Sequence, residues 1–269
     1  LKEEGKTSVN PLKESFSHKA NFKMVLMALF GAVMGQGVVW YTGQFYAQNF
    51  LETKAMLDFE QSRTILLWAI AFATPFFVFW GWLSDKIGRK WIMMAGMALA
   101  IFTYRPIFNT FLADADLPAA IIKKQLPPET VKIEPVIIKA DTVKREAGVI
   151  IINHIHSKHT LPDGSRFSAT YTDSIFNYSN GVEFEVKTSS ITYVNKHLPP
   201  SLYWKFIGLV FLLILYVTMV YGPIAAFLVE MFPTKIRYTS MSLPYHIGNG
   251  VFGGLVPFIG LLLTTSFPS

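Results

Sequence analysis

The residues of this chain best suited to charge chemistry lie in one short stretch, between Gly81 and Lys90. Asp85 supplies a carboxylate, Arg89 and Lys90 supply cations, and glycines stand at positions 81 and 88. A carboxylate at a helix end prefers a helix N-terminus or a basic partner, so the expected chemistry is ion pairing. Gly88 gives the backbone freedom for a tight turn, and Gly81 lets two helices approach closely. The stretch therefore predicts a charged turn between two helices.

A second charged stretch covers residues 230–239. Pro233 ends a helix, and Glu230, just inside an apolar block, needs a partner. Lys235 and Arg237 make the loop that follows basic. A generic basic turn is the alternative interpretation of the first stretch, but its spacing, G-x-x-x-D-x-x-G-R-K between two apolar blocks, argues against that interpretation.

Five apolar blocks must position these loops, and each is long enough to cross a membrane. A membrane-spanning helix needs about 20 mostly apolar residues. The blocks, called spans one to five below, are residues 24–46, 64–83, 91–112, 206–229 and 241–268. Apolar residues make up 51% of the 269-residue chain, which is more than soluble domains usually contain. The sequence therefore predicts an all-α membrane protein with five transmembrane helices.

The basic residues set the predicted orientation, because loops rich in Lys and Arg stay on the cytoplasmic side of a membrane. The segment 1–23 and the loops 81–90 and 235–237 are basic and alternate correctly along the chain. They are predicted to be cytoplasmic, and residues 47–63 and 113–202 to lie outside. The second of these outer segments contains Lys and Arg, but long loops translocate largely regardless of their charge.

Residues 113–202 differ from the spans in composition and pattern. The segment is rich in Ile, Val, Thr and Tyr, and its ten basic and ten acidic residues cancel. Pro162-Asp163-Gly164 and Asn180-Gly181 are strong hairpin turns. Strands are predicted over residues 131–139, 149–156, 166–172, 182–188 and 190–194, between proline linkers at 126–128 and 198–200. The sequence predicts a small extracytoplasmic antiparallel β insert between spans three and four.

Several other function classes are excluded by what the sequence lacks. No Lys/Arg cluster is interleaved with aromatic residues, so the net charge of +6 does not indicate nucleic-acid binding. No P-loop, G-x-S-x-G or H-E-x-x-H sequence is present, so neither an ATP-driven transporter nor an enzyme is predicted, and no cofactor is expected. His154, His156 and His159 form a weak zinc pattern without a fourth ligand, and no metal site is predicted.

The two ends of the chain suggest a piece of a longer protein. The chain begins with Leu1, and its first twenty residues are polar and charged, without the apolar core of a signal peptide. It stops directly behind an apolar run. We therefore expect further segments on both sides.

Span one carries the polar residues best placed to contact a solute. Gln36, Trp40 and Gln44 recur at every fourth position, which places them on one helix face. Polar amides in a membrane helix face the protein interior or a water-filled cavity. Hydrogen bonding between helices, together with an aromatic belt at the membrane surface, is the alternative interpretation.

Four further residues are candidates for the same cavity. Arg105 lies in span three before Pro106, where a cation either binds a substrate carboxylate or extends to the outer surface. Tyr245, His246 and Asn249 lie in span five among several glycines that favour close helix packing. The histidine could relay protons, but its position near the cytoplasmic end favours a gating or structural hydrogen bond.

The two charged loops and the five spans resemble the major facilitator superfamily of transporters. The first loop resembles its signature loop. Residues 230–250 resemble the loop before the penultimate helix of the metabolite:proton symporters, the branch of proline/betaine-like, α-ketoglutarate-like and shikimate-like carriers. The order of features resembles the C-terminal half, with residues 24–112 as helices seven to nine and 203–269 as helices ten and eleven. The resemblance does not cover the 113–202 insert.

The resemblance implies a proton-coupled carrier of a small organic acid, amino acid or betaine-like solute, working by alternating access in the bacterial inner membrane. Its partners would be the solute, protons, membrane lipid and the missing N-terminal half and last helix. Asp85 would engage the start of span five near residues 239–242, Arg89 would pair with Glu230, and Arg237 would complete a gating network. With Gly81, Gly88 and Lys90, these residues form the predicted conformational latch, for which a permanent salt-bridge cluster is the alternative.

A protein of a different class also fits the sequence. A membrane receptor or anchor that does not transport could use the β insert to bind a ligand or partner outside. Such a sensor would need a cytoplasmic output domain, and none is visible in residues 1–23.

Overall fold

The structure is a computed structural model that describes residues 10–123, 125, 127, 130–145, 148–178 and 185–266. Its contacts divide the chain into two compact units. The helical unit comprises Leu1–Phe50, Thr64–Asn109 and Phe206–Ser269. The sheet unit comprises Leu51–Arg63 and Thr110–Lys205.

Each of the five apolar blocks forms a helix that, by length and composition, can cross a membrane. In the described part of the chain these five helices are Lys19–Thr53, Phe59–Ile87, Arg89–Ala115, Pro200–Met231 and Arg237–Leu263. Proline lies inside four of the five spans, at positions 75, 106, 223, 244 and 257. Membrane helices tolerate proline because neighbouring groups satisfy the freed backbone carbonyls.

Spans one and five are irregular helices that contain turns of π-helix. Span one runs through the segments Lys19–Ala28, Leu29–Val33, Met34–Tyr41, Thr42–Tyr46 and Ala47–Thr53, of which the second and fourth are π-helical. Span five runs through Arg237–Ile247, a π-helical segment Gly248–Gly253 and Gly254–Ser266. Turns of this kind are rare and occur frequently at functional sites.

Glycines of span five bring it against span one. A β-carbon added at Gly248 would lie 2.5 Å from Val33 Cγ1, and one at Gly253 would lie 2.6 Å from the Tyr41 ring. Gly260 meets the ring of Tyr46 in the same way. The close packing that the sequence predicts for span five is therefore present at these three positions.

Span four lies at the centre of the helical unit. Phe206, Leu213 and Leu228 on this span are fully buried. One buried cluster joins its Val220 to Val39 of span one and Ile92 of span three. Span four is therefore the element on which the others pack. In a membrane this packing is held by van der Waals contact between the helices, because lipid tails are as apolar as the buried side chains.

The other spans leave large apolar side chains on the surface of the unit. Val78 is 77% exposed on span two, and Ile101 and Phe102 on span three are 76% and 78% exposed. Soluble monomers rarely expose large contiguous apolar patches, so these faces fit contact with lipid or with another protein segment.

The sheet unit contains a five-stranded antiparallel sheet, as the sequence predicts. Its strands are β1 (Lys132–Arg145), β2 (Gly148–Thr160), β3 (Arg166–Tyr178), β4 (Glu185–Thr188) and β5 (Thr192–His197). β2 lies between β1 and β3, and the other edge of β3 pairs with β5 along its first half and with β4 along its second.

The hairpin between β2 and β3 turns at the predicted residues. Gly164 has a φ of +84°, a left-handed conformation that favours glycine. Asp163 Oδ1 accepts from the Ser165 N–H at 3.0 Å. The first three strands extend well beyond their predicted ends. The predicted Asn180-Gly181 turn and most of the 126–128 linker lie outside the described residues.

Several stretches are helical where the sequence predicts a polar segment, a loop or the β insert. Residues Pro11–Ser17 and Leu117–Lys123 form short helices, and span three continues to Ala115, past the predicted start of the insert at residue 113. Residues 47–53 extend span one. The missed signals are helix caps: Asn10 accepts from the Lys13 N–H at 3.0 Å, and Asp116 accepts from the Ala119 N–H at 3.1 Å, each directly before or near a proline.

The two segments predicted to lie outside the membrane contact each other in the sheet unit. Gln61 Oε1 accepts from the Leu198 N–H at 2.7 Å, and Gln61 Nε2 donates to the Leu198 carbonyl at 3.1 Å. The Asp58 N–H donates to the Lys196 carbonyl at 2.8 Å. These bonds fasten the loop between spans one and two to the last strand of the sheet.

The chain that leaves span three and the chain that returns to span four are also held together. Asp114 Oδ2 lies 2.6 Å from Lys205 Nζ, so the end of span three is paired with the start of span four. The Lys205 side chain is half exposed, so the pair contributes up to about 1 kcal/mol to the free energy of unfolding.

The stability of the sheet is expected to fall with acidification because of His159. Its ring stacks on Phe167 at 4.7 Å, and burial lowers the pKa of the imidazole. The unfolded chain binds a proton near pH 6.5, so the folded sheet binds fewer protons and loses stability as pH falls below that value. Hydrogen exchange of the β2 and β3 amides should accelerate between pH 7 and pH 5, after correction for intrinsic rates. His159→Phe should remove this extra acceleration and His156→Gln should keep it; equal behaviour of the two variants would contradict the assignment.

Candidate functional site

The turn between spans two and three is built as its spacing predicts. Span two ends at Ile87 and span three begins at Arg89, so a single residue connects them. That residue, Gly88, has a φ of +97°, which a residue with a side chain adopts only at a cost. Its N–H donates to the Ser84 carbonyl at 3.0 Å and closes the end of span two.

Arg89 joins this turn to the end of span four. Its guanidinium donates to Asp85 Oδ1 at 2.9 Å and also pairs with the carboxylate of Glu230. Arg89 is only 21% exposed, whereas Asp85 and Glu230 are 63% and 64% exposed. One cation shared by two solvated carboxylates is a contact that can form and break at modest cost, because exposed ion pairs contribute about 1 kcal/mol or less.

Two residues of the predicted latch have other partners. Arg237 Nε donates to the Phe232 carbonyl at 3.1 Å, so it caps the end of span four instead of completing the charged network. Asp85 pairs with Arg89 on its own turn, where the resemblance implied the start of span five. The physical reason is local: Asp85 lies in the last turn of a helix, where its charge is unfavourable, and Arg89 is one turn away.

The start of span five is instead bound by the N-terminal helix, which sequence reasoning missed. Ser240 Oγ lies 2.7 Å from Ser15 Oγ, and both side chains are buried. Two serines 225 positions apart carry no visible signal in a single sequence, although the Asn10-Pro11 cap marks the helix that holds Ser15.

Gly81 and Lys90 are the remaining latch candidates. A β-carbon at Gly81 would meet nothing within 4 Å, but the backbone of Gly81 takes part in a close approach to span four. A β-carbon added at Gly222 would lie 3.2 Å from the Phe77 carbonyl oxygen and 3.6 Å from the Gly81 backbone nitrogen. Lys90 is exposed and lies over the ring of Trp91 at 5.7 Å. The helix contact near residue 81 therefore depends on a glycine that the motif does not include.

A second cluster, called the polar crossing below, joins spans one, four and five. Trp40 Nε1 donates to Gln44 Oε1 at 3.1 Å, and the Trp40 ring contacts Tyr221 at 5.4 Å between centroids. The hydroxyls of Tyr221 and Tyr245 lie 2.8 Å apart. Asn249 Nδ2 donates to the Tyr245 carbonyl at 3.0 Å. Four predicted cavity residues thus fall into one connected cluster, and Tyr221 is a member that the sequence did not reveal.

The side chains of Gln36, beside the polar crossing, and of Asn249, within it, have buried atoms that lack a hydrogen-bond partner in the described part of the chain. Gln36 is 1% exposed, and within the described part of the chain neither its Oε1 nor its Nε2 has a hydrogen-bond partner. Asn249 Oδ1 is in the same condition. A β-carbon at Gly37 would lie 3.4 Å from Asn249 Oδ1, which places that oxygen next to the neighbour of Gln36. Such groups cost about 1–3 kcal/mol each when left unpaired, so they indicate a site for a polar ligand or water.

Two predicted cavity residues lie apart from the polar crossing. Arg105 is exposed, one helical turn from the exposed Ile101 and Phe102 on the outer face of span three. His246 is exposed on span five, with its ring edge towards Tyr245 at 5.8 Å. The position of Arg105 favours extension to a surface over solute binding.

The histidines of the sheet do not meet. His154 Nε2 lies 3.6 Å from Asp141 Oδ2, whereas His159 stacks on Phe167 and contacts Ser157 Oγ at 2.9 Å. Among the described residues, no group of three His, Cys, Asp or Glu side chains could hold a metal ion.

We compared the chain with curated proteins, family models and solved structures. Parts of the chain resemble transport proteins. One stretch of 49 residues is 39% identical, and one of 60 residues is 47% identical, to curated proteins of Haemophilus influenzae that carry the name "Putative metabolite transport protein". These stretches are 18% and 22% of this chain and only 11% and 12% of the curated proteins.

No protein-family model matches the chain. No solved structure matches it. The chain is therefore similar over short stretches to proteins named as transport proteins, and its five apolar helices fit a membrane-integral protein.

Proposed function

We propose that this chain is part of a secondary carrier of the major facilitator type, in the metabolite:proton symporter branch. It contributes five spans of the C-terminal half to a protein that moves a small carboxylated or zwitterionic solute. A proton gradient drives uptake, and two helical bundles rock about a site near the membrane midplane. The observation that carries the proposal is Arg89, which links the glycine-bounded turn of spans two and three to Glu230 at the end of span four.

The contacts between loops support the proposed topology. The two loops assigned to the cytoplasm meet through Arg89 and Glu230 in the helical unit. The two segments assigned to the outside meet through Gln61 and Leu198 in the sheet unit. Loops on the same side of a membrane can touch and loops on opposite sides cannot, so this sorting fits an inner-membrane protein with an extracytoplasmic insert.

The polar crossing supplies the proposed solute-binding wall. Gln36 offers an unpaired amide group, Asn249 offers an unpaired amide oxygen, and Trp40 and Tyr221 offer aromatic surfaces. Carrier sites form where irregular helices expose polar groups inside the membrane. Here π-helical turns lie on both sides of Gln36 in span one, and Asn249 lies within the π-helical turn of span five.

The test is uptake of labelled solutes by vesicles that contain the full-length protein. Amino acids, betaines and di- and tricarboxylates should be compared, each with and without an imposed pH difference. Accumulation that depends on the pH difference is expected for a member of these classes. Accumulation that ignores the pH difference would remove the symport proposal. The receptor alternative would be favoured by two results together: no solute accumulates in the vesicles, and the purified chain with its β insert binds a ligand.

Gln36→Leu is expected to separate binding from stability. Leucine has nearly the volume of glutamine but no polar group, so the buried unpaired amide and its cost of about 1–3 kcal/mol disappear. The variant should melt at a higher temperature in detergent, and solute affinity should fall by roughly 10-fold or more, as for loss of one good hydrogen bond.

The matched control for this variant is Gln61→Leu, which removes an amide that is also buried but fully paired. It should lower the melting temperature and leave solute affinity unchanged. A destabilised Gln36→Leu protein with normal affinity would show that Gln36 serves only helix packing.

A further inference from the structure

A groove of about 700 Å³ opens in the helical unit between spans one, three and four. Its apolar lining includes partly exposed side chains, among them Met27 at 47%, Phe30 at 56% and Met94 at 46%. Met93, Met97 and Met231 also line it. Methionine side chains are flexible and polarisable, so a wall of this composition can adapt to an irregular apolar occupant.

Two lysines border this groove and give it a positive charge. Lys23 and Lys90 are its only charged lining residues among those the structure describes. Both are exposed, and neither has a carboxylate within salt-bridge distance in the described residues. Arg89, next to Lys90, is already neutralised by Asp85 and Glu230. Lys23 and Lys90 therefore give the groove its uncompensated positive charge.

The lysines lie at one end of the groove. Lys23 is in the first turns of span one, which begins at Lys19, and Lys90 is in the first turn of span three, which begins at Arg89. Spans one and three enter the membrane from the same side, because one span lies between them. Met231, the last residue of span four, lies on that side as well. The groove thus has a cationic end at the membrane surface and an apolar wall that runs inward.

We propose that this groove binds an anionic phospholipid of the surrounding bilayer. The phosphate of its headgroup lies between Lys23 and Lys90, and one acyl chain follows the methionine- and phenylalanine-lined wall. Basic pockets between transmembrane helices bind anionic headgroups, and here the charge and the apolar wall are joined in a single concave surface. The site requires that the chain spans a membrane, but it holds whether or not the protein transports a solute.

The test adds phosphatidylglycerol or phosphatidylcholine to the purified chain and measures lipid binding by native mass spectrometry. The wild type should prefer phosphatidylglycerol. The double variant Lys23→Ala/Lys90→Ala should lose this preference by on the order of 30-fold, the expected product of two cationic contacts with an anionic lipid. The control Lys19→Ala/Lys235→Ala removes two charges from the same predicted membrane side, outside the groove, and should keep the preference.

A second variant tests the apolar wall without touching the charge. Gly31 lines the groove, and a β-carbon there meets nothing within 4 Å, so Gly31→Leu should fold and fill the space. It should reduce the number of retained lipids of both kinds. The proposal is overturned if the wild type shows no preference, if the two double variants behave alike, or if the groove is closed by a second copy, seen as a lipid-free dimer. Unchanged retention in Gly31→Leu would also overturn it.

Discussion

Replacing Asp85 with asparagine is expected to slow solute turnover by up to about 5-fold in the full-length carrier, with solute affinity within about 2-fold of the wild type, because an exposed ion pair contributes about 1 kcal/mol. Asp85 and Glu230 share Arg89, so loss of one carboxylate weakens the link between the turn and the end of span four. Initial uptake rates and equilibrium solute binding, measured on the same preparation, give the two quantities.

The control for this prediction is Lys86→Gln, which removes a charge one position away. Lys86 Nζ lies 3.9 Å from the centroid of the Trp82 ring and takes no part in the Arg89 contacts. Its turnover should be nearly normal. A permanent structural role for the cluster would instead lower the melting temperature of Asp85→Asn and leave turnover per folded molecule unchanged, and that result would refute the gating role.

Gly248→Ala is expected to destabilise the protein by about 1–3 kcal/mol through overpacking. The added carbon would lie 2.5 Å from Val33 Cγ1 and 3.1 Å from the Val33 backbone carbonyl carbon, so span five must move away from span one. Thermal unfolding in detergent should show a clear fall in melting temperature.

The chain supplies a close control for this substitution in the same π-helical turn. A β-carbon at Gly250 meets nothing within 4 Å, so Gly250→Ala should be neutral or slightly stabilising, because alanine restricts the unfolded chain. Equal melting temperatures for the two variants would show that the contact between spans one and five does not limit stability.

The architecture could largely be predicted because its signals are local. Five long apolar runs predict five helices whatever they pack against, and the Pro-Asp-Gly turn fixes the hairpin of β2 and β3. The sequence predicts a tight turn at Gly88, and the positive φ of Gly88 agrees with that turn, although the link between the two helices is shorter than predicted. In these cases the information lies within a few residues of sequence.

The features that could not be predicted depend on which residue of another helix lies against each side chain. Gly222 and Gly81 are alike in sequence and lie against each other, yet an added β-carbon would meet a neighbouring backbone at Gly222 and nothing within 4 Å at Gly81. Gln36 and Gln44 share a helix face, but Gln44 accepts from Trp40 whereas Gln36 is enclosed without a partner. The π-helical turns that frame Gln36 have no pattern that a single sequence reveals.

Helix caps show a third kind of error. Asn10-Pro11 and Asp116 followed by Pro118 are readable start signals, but the surrounding residues were polar or lay next to a strand-rich segment, and the broader composition outweighed them. Arg237 is a related case: a cation near a helix end has the carbonyls of that end as alternative partners, and the Phe232 carbonyl is close at hand.

The ion pair between Asp114 and Lys205 brings the end of span three and the start of span four together. A folded domain spliced between these positions must therefore have ends that are close together, and it would replace the bonds that Gln61 and Asp58 make to the present sheet. A circularly permuted fluorescent protein has such ends. Grafted between positions 114 and 205, it would turn movement of spans three and four into an optical signal.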